Sequence, residues 1–197
     1  MTLTIRADAD APAPCEPKGP LQGLARTCAA SDAEQLAALM LDSYRGTVDD
    51  EGETIEDARR AVAALIAGEF GAVDWEASVV FERAGRVVSA ALVTRDRVAP
   101  APLVAGEAFL AFSMTAAGEK RRGLGRAGVM RVVEILRRRG EPRLHLVVTR
   151  ANTPAVTLYR ALGFEPGPIA RAAGRCHARS SGALADDQQC AHHGLGE

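Results

Sequence analysis

The apolar residues of this 197-residue chain follow two spacings, one helical and one extended. Leu36, Leu39, Met40 and Tyr44 recur on one helical face after Ser31-Asp-Ala-Glu34, a capping-box signature for a helix start. Thr54 then precedes Ile55, Ala58, Val62, Leu65 and Ile66, a second amphipathic helix. Trp75 to Glu82 and Arg86 to Thr94 are Val- and Ala-rich runs around Ala84-Gly85, which predicts a hairpin covered on both faces, with Trp75 as a packing residue. Arg95 to Gly106 holds two prolines and reads as a loop. Glu107 to Thr115 is a further strand, on which Glu107, Phe109, Ala111 and Ser113 share a face if no bulge intervenes. A third helix is expected over 125–139, with Val129, Met130, Val132, Val133, Ile135 and Leu136 inward and Arg137, Arg138 and Arg139 complementing its dipole. It ends at Gly140, with Pro142 just beyond. A strand over 143–149 follows. Thr153 is then an N-cap and Pro154 an N1 residue, and Ala155, Leu158, Tyr159 and Leu162 face inward up to Gly163.

The pattern weakens at the ends. Leu24 to Cys28 alternates faintly and predicts a short strand, whereas residues 1–22, rich in Ala, Pro, Asp and Gly, read as a flexible leader. Beyond Ile169 the alternation stops. The expected organisation is a leader over 1–22, a folded domain over 23–170 and an irregular or disordered tail over 171–197.

One turn carries a chemical signal. Glu119-Lys-Arg-Arg-Gly-Leu-Gly-Arg-Ala127 is basic, punctuated by glycine, and opens directly into the third helix. A helix start presents free amides and the positive end of the macrodipole, and glycines let that backbone approach a ligand. Arginines beside them suit phosphate oxygens. The local reading is a diphosphate site, or else a basic loop that merely caps a helix. The next segment separates these. Asn152, Ala155, Tyr159, Gly163 and Phe164 follow the strand over 143–149 in the order Asn-x-x-Ala-x-x-x-Tyr-x-x-x-Gly-Phe.

Together the two motifs, within residues 113–164, resemble the acetyl-CoA-binding half of the GCN5-related N-acetyltransferases, the GNAT superfamily. Gly123 and Gly125 match the first motif, with Lys120 at its Gln/Arg position. The resemblance implies a mixed α/β (α+β) fold: a central sheet flanked by about four helices, whose splayed strands form the acetyl-CoA cleft. It implies acetyl-CoA as cosubstrate, held by Lys120, Arg121, Arg122, Gly123, Leu124, Gly125, Arg126 and Ala127 at the diphosphate. Ser113, Met114, Thr115 and Asn152 would hold the pantetheine arm. Tyr159 would be the general acid, since a phenol can protonate a departing thiolate of similar basicity; otherwise it is a core tyrosine. Some relatives use a strand glutamate as base. Phe109 stands at that place here, and Glu107, two residues earlier, is a weak substitute. The loop over 45–53 lies where relatives cover the acceptor, so Asp49, Asp50, Glu51 and Glu53 would draw in a cationic amine, unless they are only a solvated turn. Relatives also add two closing strands after the last helix, and this chain has no recognisable version of them.

Composition narrows the partners. A formal charge of −1 argues against a general nucleic-acid binder. No apolar run approaches a membrane span, and the first residues lack a signal-peptide pattern. Four dispersed cysteines suit a reducing, cytoplasmic setting rather than a disulfide scaffold. Cys176, His177, Cys190, His192 and His193 fit no common zinc spacing, so no metal is expected. The function expected is acetyl transfer to a primary amine, most simply on a small cationic molecule, by direct attack in a ternary complex. The alternatives are a protein amino terminus or lysine as acceptor, and a module that senses acyl-CoA without catalysis. A homodimer is compatible with all of these. Acceptor, acyl-chain preference, general base and oligomeric state are left open by the sequence.

Overall fold

The computed structural model describes residues 1–6, 25–96 and 106–166. The strands are β1 (Thr2–Arg6), β2 (Ala25–Thr27), β3 (Ala72–Val73), β4 (Val79–Arg83), β5 (Arg86–Arg95), β6 (Ala108–Thr115), β7 (Arg143–Val147) and β8 (Glu165–Pro166). The helices are α1 (Ala33–Tyr44), α2 (Ile55–Ile66), α3 (Leu124–Arg138) and α4 (Thr153–Ala161). They build one mixed sheet in the order β2-β4-β5-β6-β7-β1-β8, with β3 beside the end of β5. All described pairings are antiparallel except β6 with β7.

The sheet is covered on both faces, as its Val- and Ala-rich strands predict. Val79, Phe81, Ala91 and Val93 join α3 and α4 in one core, while Val80, Ala90, Leu92 and Met114 join α1 and α2 in the other. The hairpin turns at Ala84 and Gly85, both at positive φ (50° and 74°). Its first strand begins at Val79 rather than Trp75, because Asp74 caps a turn there by accepting the Ala77 N–H at 3.0 Å. Trp75 packs, partly buried, in the α1–α2 core.

Three expectations are corrected. The leader is not flexible throughout: Thr2–Arg6 is a strand inserted between β7 and β8. Its Thr-Leu-Thr-Ile alternation buries Leu3 (0% exposed) and Ile5 (4%), a local pattern that the composition of the wider stretch conceals. Residues 7–22 and the tail over 171–197 lie outside the described residues. The start of α1 is not a Ser31–Glu34 box. Instead the Asp32 carboxylate accepts the Ala29 N–H (2.9 Å) and a two-pronged Arg26 guanidinium (2.8 Å each). The arginines closing α3 do more than offset its dipole. Arg137 and Arg138 hold the buried Glu134, and Arg139 reaches Asp74 and Glu76.

The sheet opens in the middle. Parallel pairing of β6 with β7 covers only Ala108–Leu144, Phe109–His145 and Leu110–Leu146, whereas β6 runs on to Thr115. At Ala111 the ladder with β5 slips: Val93 pairs with Leu110 and Leu92 with Phe112. The β6–β7 pairing thus stops at Leu110, just before the bulge, and the rest of β6 up to Thr115 has no described ladder partner in β7. Among the described residues no helix is long and apolar enough to cross a membrane.

Candidate active site

The bulge decides what faces the cleft. Ala116 N–H donates to Val88 O at 2.9 Å, so Met114 and Ala90 form the hydrogen-bonded kind of pair, while Ser113 and Thr115 oppose Ala91 and Ser89 in the other kind. Ser113 and Thr115 therefore turn their main-chain N–H and C=O groups away from β5, toward the gap. Met114 spends its own on β5, and Ser89 Oγ adds a bond to its carbonyl at 2.8 Å. The bulge also breaks the single face expected for Glu107, Phe109, Ala111 and Ser113. Ala108 and Leu110, and hence not Phe109, point into the α3–α4 core, whereas beyond the bulge Ser113 lies beside Tyr159 on that same side.

The basic turn stands next to this strand end. Gly123 is the N-cap of α3 in the left-handed region (φ 85°), no side chain caps the helix, and its first turn holds no acidic residue. Leu124, Gly125 and Arg126 are the first-turn residues whose amides have no helical partner. Ala127 does not join them, because its N–H is bonded to Gly123 O at 2.9 Å. A Cβ on Gly125 would stand 3.5 Å from Thr115 Oγ1 and 3.7 Å from Leu158 Cδ2, so this glycine lies between the strand end and α4. Arg121 (φ 64°) and Arg122 flank the turn, and Glu119 braces it by accepting Arg83 Nη1 at 2.9 and 3.0 Å and Arg122 at 3.3 Å. Lys120 points elsewhere: its ammonium donates to Ser43 O in the last turn of α1, at 2.7 Å. The uncapped amides, with arginines beside them and no acid in the first turn of the helix, fit a diphosphate.

Tyr159 on α4 closes the site from the other side. It is 8% exposed, and its ring meets that of Phe164 edge-on at 5.6 Å, which gives the Gly163-Phe164 end of the second motif its packing role. Burial raises the phenol pKa and Asp49 pushes it the same way, while a hydrogen bond from Ser113 opposes them. Asn152 caps α4 with its carbonyl oxygen on Ala155 N–H (3.2 Å) and gives its amide to Asp49 Oδ2 (2.7 Å). Both ends of that side chain are thus engaged within the protein.

Of the four acidic-loop residues, Asp49 is the one that reaches Tyr159. Asp50 folds the loop, accepting Gly46 N–H at 2.6 Å and Gly52 N–H at 3.0 Å. Glu53 accepts the Glu51 N–H at 3.0 Å. Glu107 belongs to another neighbourhood. It pairs with Arg143 (3.3 Å) and with the buried His145 (3.0 Å), six strand positions before Ser113, or about 20 Å at the rise of extended backbone.

The sequence reading overlooked Tyr44 as a site residue. It ends α1 just before the acidic loop, and its phenol pKa is raised by burial and then by Tyr159, Asp49 and Glu53, which sets it beside the same group of residues. Its position at the loop boundary, one of only two tyrosines, was the available signal.

A family model described as "Acetyltransferase (GNAT) family" matches residues 34–164, more than half of the chain. The chain belongs to the GNAT acetyltransferases. It is accordingly an acyltransferase that uses acetyl-CoA. Among curated protein sequences none matches it. Solved structures with the same fold include a ribosomal-protein-alanine N-acetyltransferase from Brucella melitensis (24% identity, TM-score 0.55, covering 72% of this chain and 84% of that one). Another is the ribosomal-protein-S18-alanine N-acetyltransferase of Escherichia coli (20%, 0.54, 73% and 77%). A third is an aminoglycoside N-acetyltransferase in complex with CoA (15%, 0.53, 72% and 87%). At these identities the likeness is one of fold.

Proposed function

We propose that this GNAT protein acetylates a primary amine on a small cationic molecule. The observation that carries the reading is the meeting of Tyr159, Ser113 and Asp49 at the parted end of β6, beside the uncapped start of α3. The amides of Leu124, Gly125 and Arg126, with Arg121 and Arg122 around them, hold the cosubstrate's diphosphate. The outward main chain of Ser113 and Thr115 orients its pantetheine arm, which lowers the entropic barrier to attack. Asp49 and the loop carboxylates raise the local concentration of a cationic acceptor. Tyr159, kept protonated by its surroundings, gives its proton to the departing thiolate. Glu107 takes no part. The attacking amine loses its proton through water near Asp49 or arrives neutral. The sparse cysteines favour a reducing, cytoplasmic setting for this chemistry.

Val48, 58% exposed in the same acidic loop, favours a second reading in which an apolar group flanks the acceptor amine, as in a peptide amino terminus. The test is thiol release from acetyl-CoA across polyamines, aminoglycosides, amino acids and peptides. Release with polyamines or aminoglycosides supports the first reading, and release with peptides alone supports the second. Silence across the panel from a protein that binds acetyl-CoA counts for a sensing module.

A further inference from the structure

Two bonds join the phosphate-side turn to the helix that carries the acceptor loop. Asp42 Oδ2 accepts the Ala117 N–H at 2.9 Å, and Lys120 Nζ donates to Ser43 O at 2.7 Å. They bracket the short turn over 117–120 and land on adjacent residues in the last turn of α1. The second is a charged donor on a carbonyl of a buried residue, at a helix end where a cation is favoured. Directly after Ser43 come Tyr44 and the loop over 45–54.

That loop is braced internally. Arg45 donates to Glu53 O at 2.9 Å, and Asp50 gathers the amides of Gly46 and Gly52. It is continuous with the end of α1, and its far side is tied to α4 through Asp49 and Asn152 (2.7 Å). A change of order at 117–120 has a bonded route to Asp49 through the end of α1 that does not pass through the reacting groups.

We propose that Asp42 and Lys120 are positioning residues, a strap through which occupancy of the diphosphate turn orders the acceptor loop and raises acceptor affinity. This rests on the acetyl-CoA reading of the turn and departs from its motif position for Lys120, whose ammonium serves the loop rather than the phosphates. Cofactor and acceptor binding are then linked, and by thermodynamic necessity each strengthens the other.

Hydrogen exchange of residues 45–54, with CoA as the probe, tests this without catalysis. In the natural protein CoA should slow exchange in the loop by about fivefold or more, the low end of measured couplings between sites. Lys120→Met and Asp42→Ala should bind CoA within about threefold of the natural affinity, a difference under 1 kcal/mol. Both should exchange faster at 45–54 before CoA is added and lose the CoA-dependent slowing, and Lys120→Arg should restore it. An affinity loss of tenfold or more in Lys120→Met makes the ammonium a phosphate ligand and overturns the proposal. So does a natural loop indifferent to bound CoA, or slowing that persists in both variants. Failure of the natural protein to bind CoA would defeat the cofactor reading itself. The comparison without CoA then still decides the strap, since unchanged loop exchange in Lys120→Met would refute it.

Discussion

Two residues turn their surroundings into measurable chemistry. Tyr159 lies in a buried pocket next to Asp49, and both push its pKa above the ordinary tyrosine value. Its proton is thus present across the neutral range, and an alkaline fall in kcat from loss of this acid should set in at higher pH than an ordinary tyrosine would give. Tyr159→Phe keeps the edge contact with Phe164 but removes the proton. It should lower kcat about a hundredfold, within the usual range for a positioned acid, and leave CoA affinity nearly unchanged; an unaltered kcat would take Tyr159 out of the mechanism. Asp32 is the acid-side counterpart. Arg26 holds its carboxyl below the ordinary value, so its contribution to stability is fully present above the unfolded carboxylate's pKa and is lost as pH falls through the lower folded value. Arg26→Met should therefore lower the urea midpoint at pH 7 and narrow the gap between pH 7 and pH 3, and an unchanged gap would show that the pair is idle. The place of Tyr159 beside the end of β6 was legible because that residue travels with a motif. Tyr44 and Lys120 were not: what each does depends on a partner distant in sequence, α4 for one and α1 for the other, and spacing along the chain carries no such pairing.

At the scale of elements, α3 and β6 do the positioning. The helix was plain in the sequence because its apolar stripe, its glycine-bearing start and its Gly140 stop agree with one another. The strand was legible in extent but not in facing. One extra residue at Ala111 reverses which side chains and main-chain groups look into the cleft, and nothing in the composition of Ala108–Thr115 announces it. The two elements meet at Gly125, where a Cβ would already touch Thr115 Oγ1 and Leu158. Gly125→Glu places a longer side chain and a negative charge beside the uncapped amides. It should reduce CoA affinity at least a hundredfold, measured by calorimetry, with the circular dichroism of the folded protein retained. Full affinity in a folded Gly125→Glu protein would move the diphosphate away from α3.

The whole molecule depends on a strand that compositional reading of the first 22 residues hides. β1 pairs with β7 along its full length, Thr2 with Val147 through Arg6 with Arg143, and β8 in turn pairs with β1. Leu3 and Ile5 enter the same core as Leu144, Leu146, Tyr159 and Phe164. The side of the sheet that carries α4 and its tyrosine is thus completed by the first residues of the chain, across the greatest sequence separation among the described strand pairings. If β1 belongs to the same cooperative unit, Leu3→Ala leaves a cavity in that core and should cost about 2–5 kcal/mol. At about 2–4 °C per kcal/mol for a protein of this size, Tm should fall by roughly 4–20 °C in one transition. Loss of β1 order would also loosen the β7–α4 segment that sets Tyr159, so kcat should fall more steeply on warming than it does in the natural protein. A detached leader predicts the opposite on both counts, with Tm and the temperature profile of kcat unmoved by Leu3→Ala. Calorimetry and a temperature series on the same pair of proteins therefore decide whether the sheet closes on its own amino-terminal strand.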